Sequence, residues 1–451
     1  MPIKISNAER HAEQATTLTA FPINLNDVKR VVTEILSLFG RSNIFAEYTV
    51  HDIRHIDDML SQLDWLVPEN TKQILAPADW LLIVMSIYFH DMGLIVTEEE
   101  YNNRTKSDFF QFCETHLFSG TDGADYKSKV ATLDPDKRER FLYQEFVRAN
   151  HGKRVREWIE GRDHPHFGVA SAQVAEIDRL LGRLVPEFRR DLALVCESHS
   201  LDDIDNTNKY PLSQPYGNSD DESANVQYCA AILRTVDLLQ ITQSRTPTTL
   251  FRLISPTDPI SQSEWSKQNA VRRVRYKSEI DRDGNIAESV QAQTVEVYAN
   301  FHDEDSFFGL TSYLKYAESQ LNSTYTAIQN SSKKNSKKFE FPWRDIDTKN
   351  VKVEGFLTTP FTFVIDQEKI LNLLTGHTLY NDSNVVVREL TQNAIDAVRL
   401  QASIDRRDSA STGTVKIVWN SNKSELSIID NGTGMTQAII ENHLLKVGSS
   451  R

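Results

Sequence analysis

The sequence predicts a multidomain protein with a mainly α-helical domain, a β-containing connector and an incomplete α+β domain. Length gives the first indication, because 451 residues exceed what one hydrophobic core usually organises. Apolar residues recur at helical spacing up to about residue 250, and segments of strand character appear after that point. The ranges that we expect are an N-terminal arm, 1–22, a helical domain, 23–250, a connector, 251–350, and an α+β domain, 351–451.

Composition and charge exclude several classes of protein. The apolar fraction of 39% suits globular folding, and no apolar run is long enough to span a membrane. The chain does not open with the charged and apolar regions of a secretory signal, and its three cysteines lack CxxC spacing. We therefore expect a cytoplasmic protein without a disulfide framework. The net charge of −13 argues against coating of nucleic acid and is compatible with a small anionic substrate held by metal ions.

Two early segments have helical character. Apolar residues from Asn26 onward predict a helix that begins with this residue as its N-cap and ends at Gly40. The next segment, YTVHDIRHIDDML, places His51 and His55 four residues apart. If both lie on one helix, they share a face, which suits two groups directed at one site.

The most apolar helix is predicted in the stretch WLLIVMSIYFHDMGL, residues 80–94, and His90 and Asp91 lie at its end. An imidazole and a carboxylate at the end of a buried helix cost desolvation energy unless a group such as a divalent metal ion compensates. The dipeptide alone is weak evidence, because it also occurs at positions 51–52 and 302–303. A histidine bonded to its neighbour at a helix end is the alternative interpretation.

Three later segments supply further candidate residues. The helix predicted in FLYQEFVRANHGKRVREWIEG surrounds His151 with basic residues, which suit either a solvated face or phosphate binding. FRRDLALVCESHS predicts a helix that ends near His199, and an acidic loop follows over residues 201–224. A largely apolar helix then carries Asp237, and an acid in that setting needs a partner.

His55, His90, Asp91 and Asp237 therefore come from three predicted helices. A nitrogen and oxygen donor set without thiolate suits Mn, Fe, Mg, Ni or Zn in a reactive site rather than a structural zinc. In this order the residues resemble the pattern of the HD superfamily of metal-dependent phosphohydrolases, over about residues 30–250. The resemblance implies that these four residues hold one ion and that Asp91 bridges to a second.

The resemblance also implies the remaining parts of a hydrolytic site. His151 and His199 would hold the second ion, and His51 would protonate the leaving oxygen. From their charge, and not from the resemblance, we expect Arg148 and Arg154 to neutralise the negative charge that develops on the phosphoryl group. We therefore expect hydrolysis of phosphoesters.

The connector has a different pattern. VRRVRYKSEI and SVQAQTVEVYANF predict two strands around an Asp-Gly turn, and a helix follows over about residues 307–328. SSKKNSKK, residues 331–338, is interpreted as a polar linker rather than a site for nucleic acid.

Two motifs in the last hundred residues lie on neighbouring predicted elements. Glu389, Asn393 and Asp396 are spaced along one face of a helix, VVVRELTQNAIDAVRLQ. A strand then ends at Asp430, which can accept a hydrogen bond from an exocyclic amine, and a glycine-containing turn follows. An isolated Asp-Asn-Gly is only a turn, so the two motifs carry the interpretation together.

Together these motifs resemble those of the GHKL (Bergerat-type) ATPases, the class that contains Hsp90, gyrase B and MutL, over about residues 355–451. The resemblance implies binding of ATP with Mg, in which Asn393 holds the ion, Asp430 contacts adenine and Glu389 positions the hydrolytic water. Asp396 matches the motif, and the alternative role for its side chain is to stabilise the helix without contacting the nucleotide. The cofactor-binding residues that the resemblance implies are Glu389, Asn393, Asp396, Asp430, Gly432, Gly434 and Met435.

One departure from that family concerns its glycine-rich lid. The lid is expected after HLLKVGSSR, where the sequence ends, so we expect a truncated product. A lid closes on phosphate and excludes water, so ATP binding should be weak and hydrolysis absent. Tight ATP binding in isothermal titration would contradict this expectation.

The sequence as a whole predicts a metal-dependent phosphohydrolase that acts on nucleotides or, as a second choice, on nucleic acid. In the intact protein, ATP at the Hsp90-like domain would gate the hydrolase through rearrangement of the domains or of a homodimer. Resemblance to such fusions suggests bacterial stress response or antiviral defence. The alternative is a non-catalytic HD sensor attached to an ATP-driven, chaperone-like switch. The hydrolase interpretation requires a complete set of metal ligands, whereas the switch interpretation requires the glycine-rich lid of the ATPase domain.

Overall fold

A computed structural model describes the larger part of the chain, and its contacts divide the protein into two units, Met1–Phe356 and Leu357–Arg451. The predicted fold class is confirmed: the first unit is mainly helical and the second combines helix and sheet. The described residues are 5–37, 53–119, 123–162, 165–168, 170–242, 259–277, 293–335, 337–356, 364–365, 384–405, 413–421, 425–440 and 446–447.

Helices account for most of the first unit. None of the described helices is long and apolar enough to cross a membrane. Their bounds are α1 Asn7–Ala15, α2 Leu25–Leu36, α3 Ile53–Leu66, α4 Glu69–Lys72, α5 Pro77–Phe89, α6 Glu98–Asn102, α7 Phe109–Phe112, α8 Gly123–Ala131, α9 Pro135–Ile159, α10 Ser171–Leu181, α11 Pro186–Ser198, α12 Val226–Leu239, α13 Pro259–Ala270 and α14 Glu304–Ser332.

Helix α5 lies at the centre of this unit, as its composition predicts. Pro77 occupies its first turn, where a missing N–H costs nothing, and Asp79 accepts a hydrogen bond of 2.8 Å from the backbone of Ala76. Every residue from Ala78 to Phe89 is buried. Helices α1, α3, α11 and α12 all contact α5, so the apolar surface that surrounds it is covered by several elements.

The N-terminal segment is a correction to the prediction, because residues 7–15 form a helix rather than an arm. Ser6 and Glu9 form a capping box, and Ala8, Ala12 and Ala15 are buried against the core. Alanine contributes little to apolar periodicity, so the sequence of this segment does not show a helical pattern. The Ser-x-x-Glu spacing was the available signal.

A smaller correction concerns α2, which begins two residues earlier than expected. Its N-cap is Asn24, whose side chain accepts a hydrogen bond of 3.0 Å from the backbone of Asp27. Gly40, the expected end of the helix, lies outside the described residues.

The connector packs onto the helical core and is continuous with it. Strands β3 Val271–Tyr276 and β4 Thr294–Phe301 pair antiparallel as predicted, and β5 Asp345–Val353 pairs parallel to β4. A short antiparallel pair, β1 Gln214–Pro215 with β2 Ser223–Ala224, lies in the acidic loop. The apolar residues of β3, β4 and α14 belong to the same core cluster as α5.

The second unit contains the predicted helix and hairpin. Its described elements are α15 Asn384–Ile404, α16 Gln437–Ile439, β6 Val364–Ile365, β7 Val415–Asn420, β8 Glu425–Asp430 and β9 Lys446–Val447. Strands β7 and β8 pair antiparallel, β6 and β9 pair parallel, and α15 packs against the hairpin.

Candidate metal centre and nucleotide-binding motifs

Three of the predicted ligands meet at one point of the helical unit, and Asp237 lies beside one of them. His55 lies on α3, His90 caps the C-terminal end of α5, Asp91 follows it directly, and Asp237 lies near the end of α12. The Oδ2 atom of Asp91 is 3.5 Å from Nε2 of His55 and 3.2 Å from Nε2 of His90. Nε2 of His90 is also 3.7 Å from Oδ1 of Asp237. Donor atoms from three helices therefore surround a common volume.

A second group overlaps the first through Asp91. The ligand atoms of Asp91, His151 and His199 lie within 4.8 Å of one another, as do those of His55, His90 and Asp91. Nε2 of His151 is 2.6 Å from Nε2 of His199. One carboxylate is thus shared by two sets of donors, which is the arrangement that a pair of metal ions requires.

Backbone hydrogen bonds orient three of the histidines in the same way. Nδ1 of His90 donates to the carbonyl of Ile87 at 2.9 Å, and Nδ1 of His151 donates to that of Arg148 at 2.6 Å. His199 makes the equivalent bond to Cys196. Because a carbonyl only accepts, each Nδ1 carries a proton, and each ring directs its Nε2 atom into the cluster.

The charges of the cluster favour a cation. Burial alone would lower the pKa of His90, but the carboxylates of Asp91 and Asp237 raise it to about 10. Burial opposes the ionisation of Asp237, yet the nearby imidazole of His90 holds the pKa of Asp237 below its ordinary value. Burial and the imidazole of His151 lower the pKa of His199 to about 4, so that ring is neutral at pH 7.

These residues fit a divalent metal ion by their chemistry. The Nε2 atoms of His151 and His199 lie 2.6 Å apart while each Nδ1 is bonded to a carbonyl, so a shared proton or a shared metal ion must lie between the two rings. Nε2 of His90 is buried and makes no hydrogen bond with any residue that the structure describes. Imidazole nitrogens and carboxylates are ligands for Mn, Fe, Ni or Zn, and no cysteine belongs to either group.

Two glycines bring the second group together, and the sequence analysis did not single them out for this role. A Cβ atom on Gly93 would lie 2.0 Å from the backbone oxygen of His151, and one on Gly152 would lie 2.3 Å from Oγ of Ser200. The first contact sets α9 against the 3-10 turn that follows Asp91, and the second sets it against the residue after His199. The available signal was a glycine two residues after Asp91 and another directly after His151.

The structure corrects the expectation for Arg154. Its guanidinium group is fully buried and forms an ion pair of 2.6 Å with Glu100, so it is not available to a substrate phosphate. Arg148 has 43% of its side chain exposed and pairs with Glu145 at 2.6 Å, one turn before His151. His51 lies outside the described residues, so its role as a proton donor stays a prediction.

A small cleft opens beside His199, between α11, α12 and α14. Tyr316 and Gln320 of α14 line one side, and Arg234 of α12 lines another. Arg234 donates to the carbonyls of Ser198 and Leu201 and at 2.9 Å to Oε1 of Gln320. The carbonyl bonds hold the chain on either side of His199 in place.

In the second unit, the helix and hairpin place the two predicted motifs side by side. The backbone N–H of Gly432 donates to Oδ1 of Asp430 at 2.9 Å, and that of Thr433 donates to the carbonyl of Ala397 at 3.3 Å. Ala397 lies one turn after Asn393 on α15, so the turn lies against the helix that carries Asn393. A Cβ atom on Gly432 would lie 2.4 Å from the backbone of Ala397, so only glycine permits this approach.

The remaining candidate residues of the second unit are solvent-accessible. Glu389, Asn393 and Asp396 are exposed along α15, and Asp396 accepts a hydrogen bond of 3.0 Å from Gln392. Gly434 adopts a φ of +64°, in the left-handed region that favours glycine, and Met435 is exposed. The arrangement provides exposed carboxylates and amides next to a tight glycine turn, as nucleotide binding requires.

Comparisons with known proteins agree with both parts of this description. The family model HD-CE matches residues 45–323, and a model described as histidine kinase-, DNA gyrase B-, and HSP90-like ATPase matches residues 380–451. A chaperone protein HtpG from Wolbachia is 34% identical over 98 residues, which are 21% of this chain and 15% of HtpG. An endoplasmin homolog from Leishmania donovani is 32% identical over 101 residues, which are 20% of this chain and 13% of the homolog.

The share of each protein that is matched determines what these similarities show. The chain aligns with only about a seventh of the length of these chaperones, so their similarity concerns one part of each protein. No solved structure matches the chain. The HD-CE model, in contrast, covers more than half of it. The protein therefore belongs to the HD-CE family, and it carries an Hsp90-like ATPase domain over residues 380–451.

Proposed function

We propose that the helical unit is a metal-dependent phosphohydrolase that cleaves phosphoester bonds of nucleotides or of nucleic acid. The observation that supports this most directly is the sharing of Asp91 between two groups of nitrogen and oxygen donors. By this proposal His55, His90, Asp91 and Asp237 hold one ion, and Asp91, His151 and His199 hold another. Divalent ions held there would polarise a phosphoryl oxygen and lower the pKa of a water molecule.

The protein's own groups orient the ligands and set the direction of approach. The side chains of His55 and His90 are almost fully buried, whereas Asp237 has 26% of its side chain exposed. His151 and His199 are part-buried. We propose that a substrate approaches the partly exposed face of the cluster through the cleft beside His199. We propose that Arg148, on the same helix as His151, contacts the anionic group there.

The choice of substrate follows from charge. The net charge of −13 disfavours a protein that binds long nucleic acid through its overall field. Small nucleotides depend less on that field, because the metal ions and a few polar groups bind them locally. Nucleotides are therefore the first substrates to test, and short nucleic acids are the second.

A screen for phosphoester cleavage tests the proposal. The protein of 451 residues would be loaded with Mn²⁺ and assayed against nucleotides, cyclic dinucleotides, short DNA and bis(p-nitrophenyl) phosphate. We expect cleavage that EDTA abolishes and that added Mn²⁺ restores, because chelation removes the group that activates water. Protein that binds Mn²⁺ fully and cleaves none of these substrates would contradict hydrolysis and favour a non-catalytic metal sensor.

We also propose that ATP at the Hsp90-like domain regulates the hydrolase. The support is the presence of both family matches in one chain. Asn393 would hold Mg²⁺ with ATP, and Asp430 would contact the adenine. The same assay tests this regulation: ATP should change the rate of the wild-type protein and leave that of Asn393→Ala unchanged. A wild-type rate that ATP does not alter would contradict it.

A further inference from the structure

Arg154 makes more contacts with the segment after Asp91 than a surface arginine would. Its Nε atom donates to the carbonyl of Gly93 at 2.6 Å, and Nη2 donates to that of Ile95 at 3.1 Å. The same guanidinium group binds both carboxylate oxygens of Glu100, at 2.6 and 3.1 Å. One buried side chain of α9 thus bridges to backbone and side-chain acceptors within eight residues of the chain.

The surroundings of this ion pair are built to hold it. The hydroxyl group of Tyr143 donates to Oε1 of Glu100 at 2.9 Å, and the carbonyl of Phe167 accepts from Arg154. Gly168 has a φ of +104°, and a Cβ atom there would lie 2.4 Å from Oε1 of Glu100. The pair therefore has its charge and its hydrogen-bonding capacity satisfied, and the backbone around it leaves no room for another side chain.

A buried ion pair of this kind contributes little net stability, because the cost of desolvating two charges offsets their attraction. Its effect on geometry is larger, since the planar guanidinium fork fixes direction as well as distance. The geometry that it fixes connects two candidate ligands. Arg154 lies three residues after His151 on α9, and the carbonyl of Gly93 lies two residues after Asp91.

We infer that Arg154 is a positioning residue of the metal centre, which holds Asp91 and His151 at the separation that a shared ion requires. The inference rests on the proposed function, because it assigns a task within that same centre. This positioning role replaces the one that the sequence predicted for Arg154. Arg154 acts through the backbone that carries the ligands and does not contact the substrate.

The inference is specific to the second ion. His55, His90 and Asp237 lie on α3, α5 and α12, whereas the partners of Arg154 given above lie in residues 93–100 and at 167. Loss of the guanidinium group would release the segment after Asp91 from its hydrogen bonds to α9. The distance between Asp91 and His151 would then change. The three outer ligands of the first ion would keep their relative positions.

Metal binding by Arg154→Met tests the inference. Titration with Mn²⁺ should give about two ions per wild-type chain and about one per variant chain, with the second affinity weaker by about tenfold to a hundredfold. Cobalt substitution provides a spectroscopic check, because loss of one ion should remove one part of the visible absorption. Two ions bound by Arg154→Met with wild-type affinity would overturn the inference.

Two further variants separate positioning from folding. Arg154→Met leaves Glu100 buried without its partner, so the double variant Arg154→Met/Glu100→Met restores charge balance in the interior. It should fold and still lose the second ion, and retention of both ions would overturn the inference. The matched control is Arg189→Met. Arg189 also donates to a backbone carbonyl, that of Ile159, and pairs with Asp178 at 2.6 Å, but its partners lie away from the ligands.

The control and the wild-type protein give the remaining outcomes. Arg189→Met should keep both ions, and loss of one would mean that general loosening of α9 explains the effect, which would overturn the inference. Wild-type protein that binds no Mn²⁺ would overturn the proposed centre itself. Wild-type protein that binds two ions, together with unchanged variants, would overturn only the role of Arg154.

Discussion

Replacement of both His90 and Asp91 by alanine is expected to abolish bound metal and phosphoester cleavage together. The variant removes a fully buried donor and the carboxylate that both groups of ligands share. Loss of a metal that stabilises the transition state by several kcal/mol corresponds to a fall in kcat of at least about 10³-fold. Metal analysis of the purified variant and the phosphate-release assay provide the two measurements.

The control for this variant is another histidine and aspartate in contact. His166 and Asp108 lie 2.9 Å apart, and more than half of each side chain is exposed. His166→Ala/Asp108→Ala should keep the metal content and the rate of the wild-type protein. A rate that survives His90→Ala/Asp91→Ala would reject the site as the origin of catalysis.

Gly93→Ala is expected to destabilise the protein and to disturb the second group of ligands. The added Cβ atom would lie 2.0 Å from the backbone oxygen of His151, and neither backbone can give way as a flexible side chain would. Such overpacking lowers the free energy of unfolding by about 1–3 kcal/mol. We also expect weaker binding of Mn²⁺, because α9 must move away from Asp91 to relieve the contact.

Gly309→Ala provides the matched control for that substitution. Gly309 lies inside α14, and the nearest atom that its Cβ would meet is the Cδ atom of Lys267 at 3.8 Å. Alanine is favoured over glycine within a helix by about 1 kcal/mol, so this variant should be as stable as the wild type or more so. Thermal unfolding and Mn²⁺ titration of both variants test the comparison, and equal behaviour would contradict the close-approach argument.

The central helix and its polar end could be predicted because the information is local. An unbroken apolar run predicts burial, and a histidine and an aspartate at its end need a compensating group wherever the helix is placed. The hairpin β7–β8 and the helix before it were predicted for the same reason, since their periodicities lie within single segments. The structure agrees with all three.

Features that depend on packing between distant segments could not be predicted. The sequence presents Arg148, Lys153, Arg154 and Arg156 as equivalent members of a basic helix. Only the structure distinguishes them, because burial of Arg154 depends on Glu100, which lies 54 residues away in the sequence. The meeting of His151 with His199 likewise depends on how α9 crosses α11, which the contact between Gly152 and Ser200 sets.

The packing of the connector is a further feature that could not be predicted from the sequence. Its strands and its long helix were predicted, but their apolar residues gave no indication of which surface they cover. Phe339, Phe341 and Trp343 are buried in the core of the helical unit, and Nε1 of Trp343 donates to the carbonyl of Leu66 at 2.7 Å. The described part of the connector is therefore integrated with the helices that carry the metal ligands.

Anomalous diffraction from crystals grown with Mn²⁺ tests the central claim most directly. We expect one peak among His55, His90, Asp91 and Asp237, and a second among Asp91, His151 and His199, at a separation of about 3.5–4 Å. Fully occupied protein with manganese only at other places on its surface would contradict the account.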